Sequence, residues 1–378
     1  MDLIFYCRSG YEADLLGEVE HACAKQGLYG YAKLTKNSAE LTFTMPQLSA
    51  ANTPNAYTEL NKKLPALEQL VFARQKLIGI SELRFETNDR VSEILTLLEN
   101  HKNEYANLPA FTDVFTEYAD TENGKQMAKF CKKFAVPLRN QLRKAGLLSK
   151  QAHKKGAYLH LIFSDSTKCT LAISLPHDRS EHHLGIQRLK MPNEAPSRST
   201  LKLEEAIKLF CSPQQEAELF SAGMRAVDLG ACPGGWSYQL VQRKVTVEAV
   251  DHGEIQAELM ATGLVEYYSE DGFLYQPQQG NVDWLVCDMI EQPTRVSELM
   301  LHWLVSGLAN AAIFNLKLPM NKRFKVVQPI LDNLNSALSD KFGHVVIKAK
   351  HLYHNRDEVT VFVIVNSQLL SAYNHQIK

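Results

Sequence analysis

The chain has 378 residues, enough for two or three domains at about 150 residues each. Hydrophobic residues make up 45% and charged residues 22%, with 19 Gly and 14 Pro, which excludes collagen-like and disordered classes. The 41 basic and 42 acidic side chains leave a net charge of −1, so whole-chain charge alone does not announce a polyanionic partner.

The average conceals a split. Residues 1–122 carry 11 basic and 18 acidic side chains, residues 123–164 carry 10 basic and no acidic ones, and residues 165–378 carry 20 basic and 24 acidic. A block of +10 in a near-neutral chain raises the local concentration of anions and speeds encounter with polyanions. The seven cysteines (7, 23, 131, 169, 211, 232 and 287) are dispersed and form no CxxC pair, which argues against a zinc ribbon or disulfide scaffold, and no metal site is expected. The first residues, MDLIFYCRSGYEADLL, lack the basic n-region of a secretory signal, and no run approaches 18 apolar residues. A cytoplasmic location without membrane contact is the expectation.

In chain order, Leu3, Phe5 and Cys7 alternate as in a strand, and Ala13, Leu16, Val19 and Ala22 keep helical spacing. Leu41–Phe43 suggests another short strand, and Ser49–Leu64 is polar and dotted with proline. A small α+β module over residues 1–70 fits this pattern. Residues 91–98 predict an amphipathic helix and 111–117 a strand. In the basic block, Met127, Phe130, Phe134, Leu138 and Leu142 form an apolar stripe, while Pro137 predicts two short helices rather than one. Residues 158–163 and 168–173 read as paired strands, so residues 71–176 form a second α+β module. Residues 177–198 are irregular, with Pro192 and Pro196, and read as a linker.

Residues 199–378 read as an α/β domain. Ser199-Thr200 is expected to cap a helix carrying Leu203, Ala206, Ile207 and Phe210 on one face. Short apolar runs at 226–229, 245–250, 284–287 and 311–316 lack strict alternation, the pattern of strands buried on both faces of a parallel sheet. Residues 345–349 and 359–365 lie close enough to pair antiparallel.

The strongest chemical signal is the sequence VDLGACPGGWSY, residues 227–238. A strand ends in an acid, and a glycine-rich turn then opens a helix whose first N–H groups point at a ligand. The glycines follow Gly230-xxx-Gly234-Gly235 rather than GxGxxG, and the missing glycine argues against NAD. The next strand ends at Asp251, an acid placed to accept hydrogen bonds from a ribose diol.

With these residues in view, DLGACPGGWSYQL and the upstream SRSTLKLEEA resemble the S-adenosylmethionine-dependent 2′-O-ribose RNA methyltransferases of the FtsJ/RrmJ type. The whole layout is similar to the branch in which a ferredoxin-like module and a THUMP domain precede a Rossmann-like catalytic domain. That resemblance implies methylation of a cytidine ribose in the peptidyl-transferase region of 23S rRNA. It also implies that Ser199, Cys232, Pro233, Gly234 and Gly235 contact the cofactor. Asp251 would hold its ribose, Asp271 would lie near the adenine and Asp288 by the methionine part. It further implies a catalytic tetrad of Lys202, Asp288, Lys317 and Glu358, with Lys317 as proton acceptor. A lysine does that work only in its neutral form, which burial and a second cation favour and neighbouring carboxylates oppose.

Base methylation is the rival chemistry, and a non-catalytic RNA-binding or ribosome-assembly protein the second rival. Amino-nitrogen enzymes commonly carry an Asp/Asn-Pro-Pro-aromatic turn after the fourth strand, where this chain has Cys287-Asp288-Met289-Ile290. Cys232 and Cys287, the potential nucleophiles of a cytosine-C5 enzyme, read as structural. The basic block suits neutralisation of RNA phosphates, with Arg188, Lys190 and Arg198 extending it, and an unpaired stretch of rRNA not yet assembled is the expected substrate. No obligate protein partner is inferred.

Overall fold

The apolar runs of the chain condense into two sheets, seen in a computed structural model that describes residues 1–48, 61–102 and 110–374. Most of the polar stretch from Ser49, residues 49–60, lies outside the described residues. Two units divide the chain, Met1–Gln187 and Arg188–Lys378.

The first unit is built on one six-stranded sheet of order β2-β1-β3-β6-β5-β4. Its strands are β1 (Asp2–Tyr6), β2 (Glu40–Thr44), β3 (Gln75–Arg84), β4 (Asp113–Glu117), β5 (Tyr158–Asp165) and β6 (Lys168–Ser174). Helices α1 (Glu12–Ala24), α2 (Arg90–Asn100), α3 (Glu122–Lys125) and α4 (Ala128–Lys144) accompany them. Strand β1 pairs with both β2 and β3, so Leu3 to Tyr6 are all buried rather than alternating. Strand β3 pairs with β6, which makes the sheet continuous across the two expected α+β modules. A buried polar network adds a second tie across the same sheet. Glu117 on β4 accepts from Tyr6 Oη at 2.9 Å and pairs with His160 Nδ1 at 2.8 Å.

Helix α4 runs unbroken through Pro137, where two short helices were expected. The ring removes one N–H and displaces the carbonyl four residues back, on Lys133. Both Pro137 and Lys133 are exposed, so the ring sits on the solvent side of the helix, where losing one backbone hydrogen bond costs least. The expected apolar stripe is present: Leu138 and Leu142 are buried, and the stacked rings of Phe130 and Phe134 meet Phe163 of β5 edge-on. The opposite face leaves Lys129, Lys132, Lys133, Arg143 and Lys144 exposed, continued by Lys150, Lys154 and Lys155. Arg139 instead turns back to Asp113 at 3.1 Å.

The second unit is a seven-stranded sheet of order β12-β13-β11-β10-β7-β8-β9. Strands β7 (Arg225–Leu229), β8 (Thr246–Val250), β9 (Val265–Tyr268), β10 (Val282–Cys287) and β11 (Ala309–Lys317) are parallel. Strand β13 (Glu358–Ile364) inserts antiparallel between β11 and β12 (Val346–Lys350). The helices are α5 (Thr200–Phe210), α6 (Pro213–Leu219), α7 (Gly235–Gln242), α8 (Ala257–Met260), α9 (Pro293–Val305), α10 (Arg323–Phe342) and α11 (Ser367–Asn374). Side chains such as Trp284, Ile313 and Phe362 fill one core with Leu203, Ile207 and Phe210 of α5. This order places every parallel strand's carboxyl end, and the start of β13, on one edge. Among the described residues, no helix is long and apolar enough to cross a membrane.

Candidate active site

The glycine turn sits between β7 and α7. Gly234 has φ +110°, a left-handed conformation that side-chain-bearing residues rarely adopt. Gly235 leaves room for Ser199: a Cβ there would come within 2.2 Å of Ser199 Oγ. Ser199 itself does not cap α5. Its backbone is already helical, its hydroxyl pairs with Ser197 Oγ at 2.8 Å, and the two hydroxyls lie against the first residue of α7. At the end of β8, Asp251 accepts the N–H of Cys232 and that of Gly253, each at 2.9 Å. Ser199, the 232–235 turn and Asp251 are thus one neighbourhood.

Asp271 follows the short strand β9, which the apolar-run pattern missed. It caps its own turn, accepting from Phe273 N at 2.9 Å, and is exposed. The adjacent Gly272 packs on Leu229 and Met289, which keeps this loop at the same sheet edge. Met289 also lies against Gly230, where an added Cβ would fall 2.7 Å from its Cγ. The loop after β10 therefore abuts the glycine turn.

Four charged side chains close into a ring at this edge. Lys202 of α5 places Nζ 2.9 Å from Asp288 Oδ2 and 2.6 Å from Glu358 Oε1. Lys317 places Nζ 2.6 Å from Asp288 Oδ1 and also bonds Glu358 Oε2. Each lysine thus touches both carboxylates. Burial alone would lower the Lys317 pKa, but Asp288 and Glu358 outweigh it and hold it above the ordinary lysine value. For Asp288, burial pushes upward, yet Lys317 and Lys202 together hold it below the usual carboxylate range. Between burial and carboxylates, the carboxylates win, and Lys317 rests as an ammonium.

Asp228, one residue before the end of β7, received no site role from the sequence. It is fully buried, and desolvation pushes its carboxyl up to about 7 against the hydrogen bond from Ser237. Ser237 Oγ donates to Oδ2 at 2.7 Å, while Oδ1 has no hydrogen-bond partner. An unmet buried carboxylate oxygen, with Asp251 and Asp288 on the same edge, suits a ligand that carries positive charge and a ribose diol. S-adenosylmethionine has both, with its sulfonium, amino group and ribose, whereas a dinucleotide pyrophosphate would meet this acidic edge unfavourably. The residues present fit the cofactor.

Neither cysteine near the site is built as a nucleophile. Cys287 is sealed in the sheet, where burial pushes its thiol up to about 12. Cys232 is exposed, but its thiol pKa is also raised, by partial desolvation and the nearby Asp251. Among the described residues, no group of three or more His, Cys, Asp or Glu side chains is arranged to hold a metal.

Fold and site define an S-adenosylmethionine-dependent methyltransferase, and the FtsJ-like methyltransferase family model matches residues 195–364. Two further models match upstream: the RlmM ferredoxin-like domain over residues 1–77, and the N-terminal region of ribosomal RNA large subunit methyltransferase M over 89–175. The chain is 45% identical over 364 residues to the ribosomal RNA large subunit methyltransferase M of Histophilus somni strain 129Pt, spanning 96% of this chain and 98% of that protein. The protein of that name from Pasteurella multocida strain Pm70 is 44% identical over 369 residues, spanning 97% and 99%. The chain belongs to the ribosomal RNA large subunit methyltransferase M family and is an rRNA methyltransferase. Among solved structures, TrmN from Thermus thermophilus aligns over 97% of this chain and 99% of its own, at 12% identity and a TM-score of 0.36.

Proposed function

We propose that the protein transfers a methyl group to the ribose 2′-oxygen of a cytidine in 23S rRNA, and that Lys202, Asp288, Lys317 and Glu358 carry the transfer. The ring of two lysines and two carboxylates beside the glycine turn is the observation that supports this reading most directly. When bound, S-adenosylmethionine supplies an electrophilic methyl on a sulfonium. Ser199, Cys232, Pro233, Gly234, Gly235 and Asp251 would hold it, with Asp271 toward the adenine and Asp288 toward the methionine part.

A ribose hydroxyl is a weak nucleophile and a weak acid, so its proton must leave as the new C–O bond forms. Neutral Lys317 takes that proton. Asp288 and Glu358 stabilise the resulting ammonium, which strengthens the acceptor and lowers the fraction of enzyme that is ready near neutral pH. Lys202 balances the two carboxylates and orients them from α5. A cytosine-C5 enzyme would need a nucleophilic thiol and amino-nitrogen enzymes commonly carry a proline turn, and this edge offers Cys287 sealed in the sheet and the turn Cys287-Asp288-Met289-Ile290.

The substrate side has support in both units. The cationic face of α4 suits phosphate neutralisation with little sequence reading. Leu274, Ile290 and Met320 are 81%, 94% and 85% exposed, and they stand on the loops just after Asp271, Asp288 and Lys317. Large apolar side chains held in water on the loops at this sheet edge suit an unstacked nucleotide. That favours 23S rRNA not yet assembled into the subunit as substrate, and a cytoplasmic location follows from that substrate. The test is Lys317→Ala. Its turnover on 23S rRNA is expected to vanish while its affinity for S-adenosylmethionine stays within a few-fold; retained turnover removes Lys317 from this role.

A further inference from the structure

Behind the charged ring lies a buried row of neutral polar groups. Asn315 sits two residues before Lys317 on β11, and Thr360 two residues after Glu358 begins β13. The pairs Lys317↔Glu358 and Asn315↔Thr360 are register partners two rungs apart on the same ladder, with Leu316↔Val359 between them, so alternation turns both pairs to one face. Asn315 and Thr360 are completely buried. Asn315 Nδ2 donates to Asp288 Oδ1 at 2.8 Å, the same oxygen that receives Lys317 Nζ at 2.6 Å. Thr360 Oγ1 donates to Asn315 Oδ1 at 2.6 Å and accepts from Asn355 Nδ2 at 2.9 Å, and that amide also reaches the Glu358 carbonyl at 3.1 Å.

The directions of these bonds are fixed by chemistry. An ionised Asp288 only accepts, so Asn315 must present its NH₂ to it and its oxygen to Thr360. Thr360 has a single hydroxyl hydrogen, committed to Asn315, so it must accept from Asn355. Polar groups placed only to fix strand register would have no need to end on the oxygen that holds Lys317.

We propose that Asn315 is a positioning residue for methyl transfer, which by donating to Asp288 Oδ1 weakens that oxygen's hold on Lys317 and keeps the lysine able to give up its proton. Thr360 and Asn355 lock the amide in the donating orientation. The inference rests on Lys317 as proton acceptor. The charged groups around Lys317 are Asp288 just after β10, Glu358 from β13 and Lys202 from α5, with Asp228 of β7 and Asp288 acting on each other through space. Removing the amide leaves negative charge concentrated on Oδ1 and stabilises the ammonium further.

The experiment compares single-turnover methylation of unmethylated 23S rRNA across alkaline pH for the wild type, Asn315→Ala, Thr360→Val and Thr360→Ser, with thermal unfolding and S-adenosylmethionine affinity measured alongside. The Asn315→Ala profile is expected to move to higher pH by about one unit, a roughly tenfold loss near pH 8. Thr360→Val should move the same way, Thr360→Ser should keep the wild-type profile by retaining the hydroxyl, and cofactor affinity should be unchanged in all three. An unmoved profile in folded Asn315→Ala overturns the inference, and if that variant does not fold, an unmoved Thr360→Val profile does so. A wild-type rate that does not rise with pH, or turnover retained by Lys317→Ala, overturns the Lys317 reading itself together with this one. A rising wild-type profile lost with Lys317, but indifferent to Asn315, overturns this inference alone.

Discussion

Lys317 closes β11 and Glu358 opens β13, and the two are the terminal register pair of an antiparallel ladder. The remaining neighbours of β10 and β11 run parallel to them, so only a reversed strand can bring its first residue to the carboxyl edge. Directly opposed side chains lie about 5 Å apart at Cβ, so strand register by itself brings the carboxylate to the lysine.

That pairing fixes the sign of a pH dependence. Because Asp288 and Glu358 hold the Lys317 pKa above its ordinary value, the neutral form grows only in strongly alkaline solution. The single-turnover rate should rise about tenfold per pH unit from pH 7 to 9 with no plateau. Removing one carboxylate with Glu358→Gln should bring the inflection down by about one unit. Rapid-quench assays, short enough to spare the RNA, measure both; a profile flat above pH 7 contradicts the proton-acceptor role.

The same shifts enter stability. A raised lysine pKa contributes stability that is present below the unfolded value and lost as pH rises through the folded one; the depressed Asp288 contributes above its unfolded value and is lost as pH falls through the folded one. Asp228 acts oppositely. Its carboxyl, raised to about 7, costs stability progressively as pH climbs from about 4 through 7. Asp228→Asn should therefore stabilise the protein at pH 8 by on the order of 2–4 kcal/mol and have little effect at pH 4. Urea midpoints at the two pH values measure the difference, and equal shifts at both contradict the burial argument.

The exposed cations of α4 predict a salt signature. Lys129→Glu/Lys132→Glu/Lys133→Glu should weaken 23S rRNA binding at every salt concentration and lower the slope of log K against log salt by about 0.7 to 0.9 per lost phosphate contact. Fluorescence anisotropy titrations from low to moderate salt supply the slope. Unchanged affinity would remove this face from the RNA footprint.

Ile290 and Met320 provide a test that separates substrate binding from folding. At 94% and 85% exposure, serine substitution should alter stability by less than about 0.5 kcal/mol. The RNA concentration giving half-maximal single-turnover rate should rise several-fold, with S-adenosylmethionine affinity unaffected. An unchanged RNA dependence would show that these side chains do not meet the substrate.

Much of the catalytic unit was legible because its strands are buried on both faces and so appear as unbroken apolar runs. Strand β9 escaped that pattern: Glu266 is exposed and Tyr267 and Tyr268 are half-buried at a sheet edge, which leaves no apolar run. Pro137 misled because an internal proline on the exposed side of a helix can be tolerated without ending it. The tetrad was readable only through family resemblance, since its members lie on four elements that no spacing rule connects. Asn315 left one trace, a polar residue inside the run AAIFNLK. A sequence can mark such a residue as anomalous, but its partner Thr360 is named only by strand register.

If this edge methylates a ribose oxygen, the product carries its new methyl group on a sugar and not on a base. The protein is incubated with S-adenosylmethionine and unmethylated 23S rRNA, and the product is digested with nucleases and mapped by mass spectrometry. One added methyl is expected on the ribose of a cytidine, leaving the linkage to the next nucleotide resistant to alkali. A methyl on the base, with the linkage still alkali-sensitive, contradicts it.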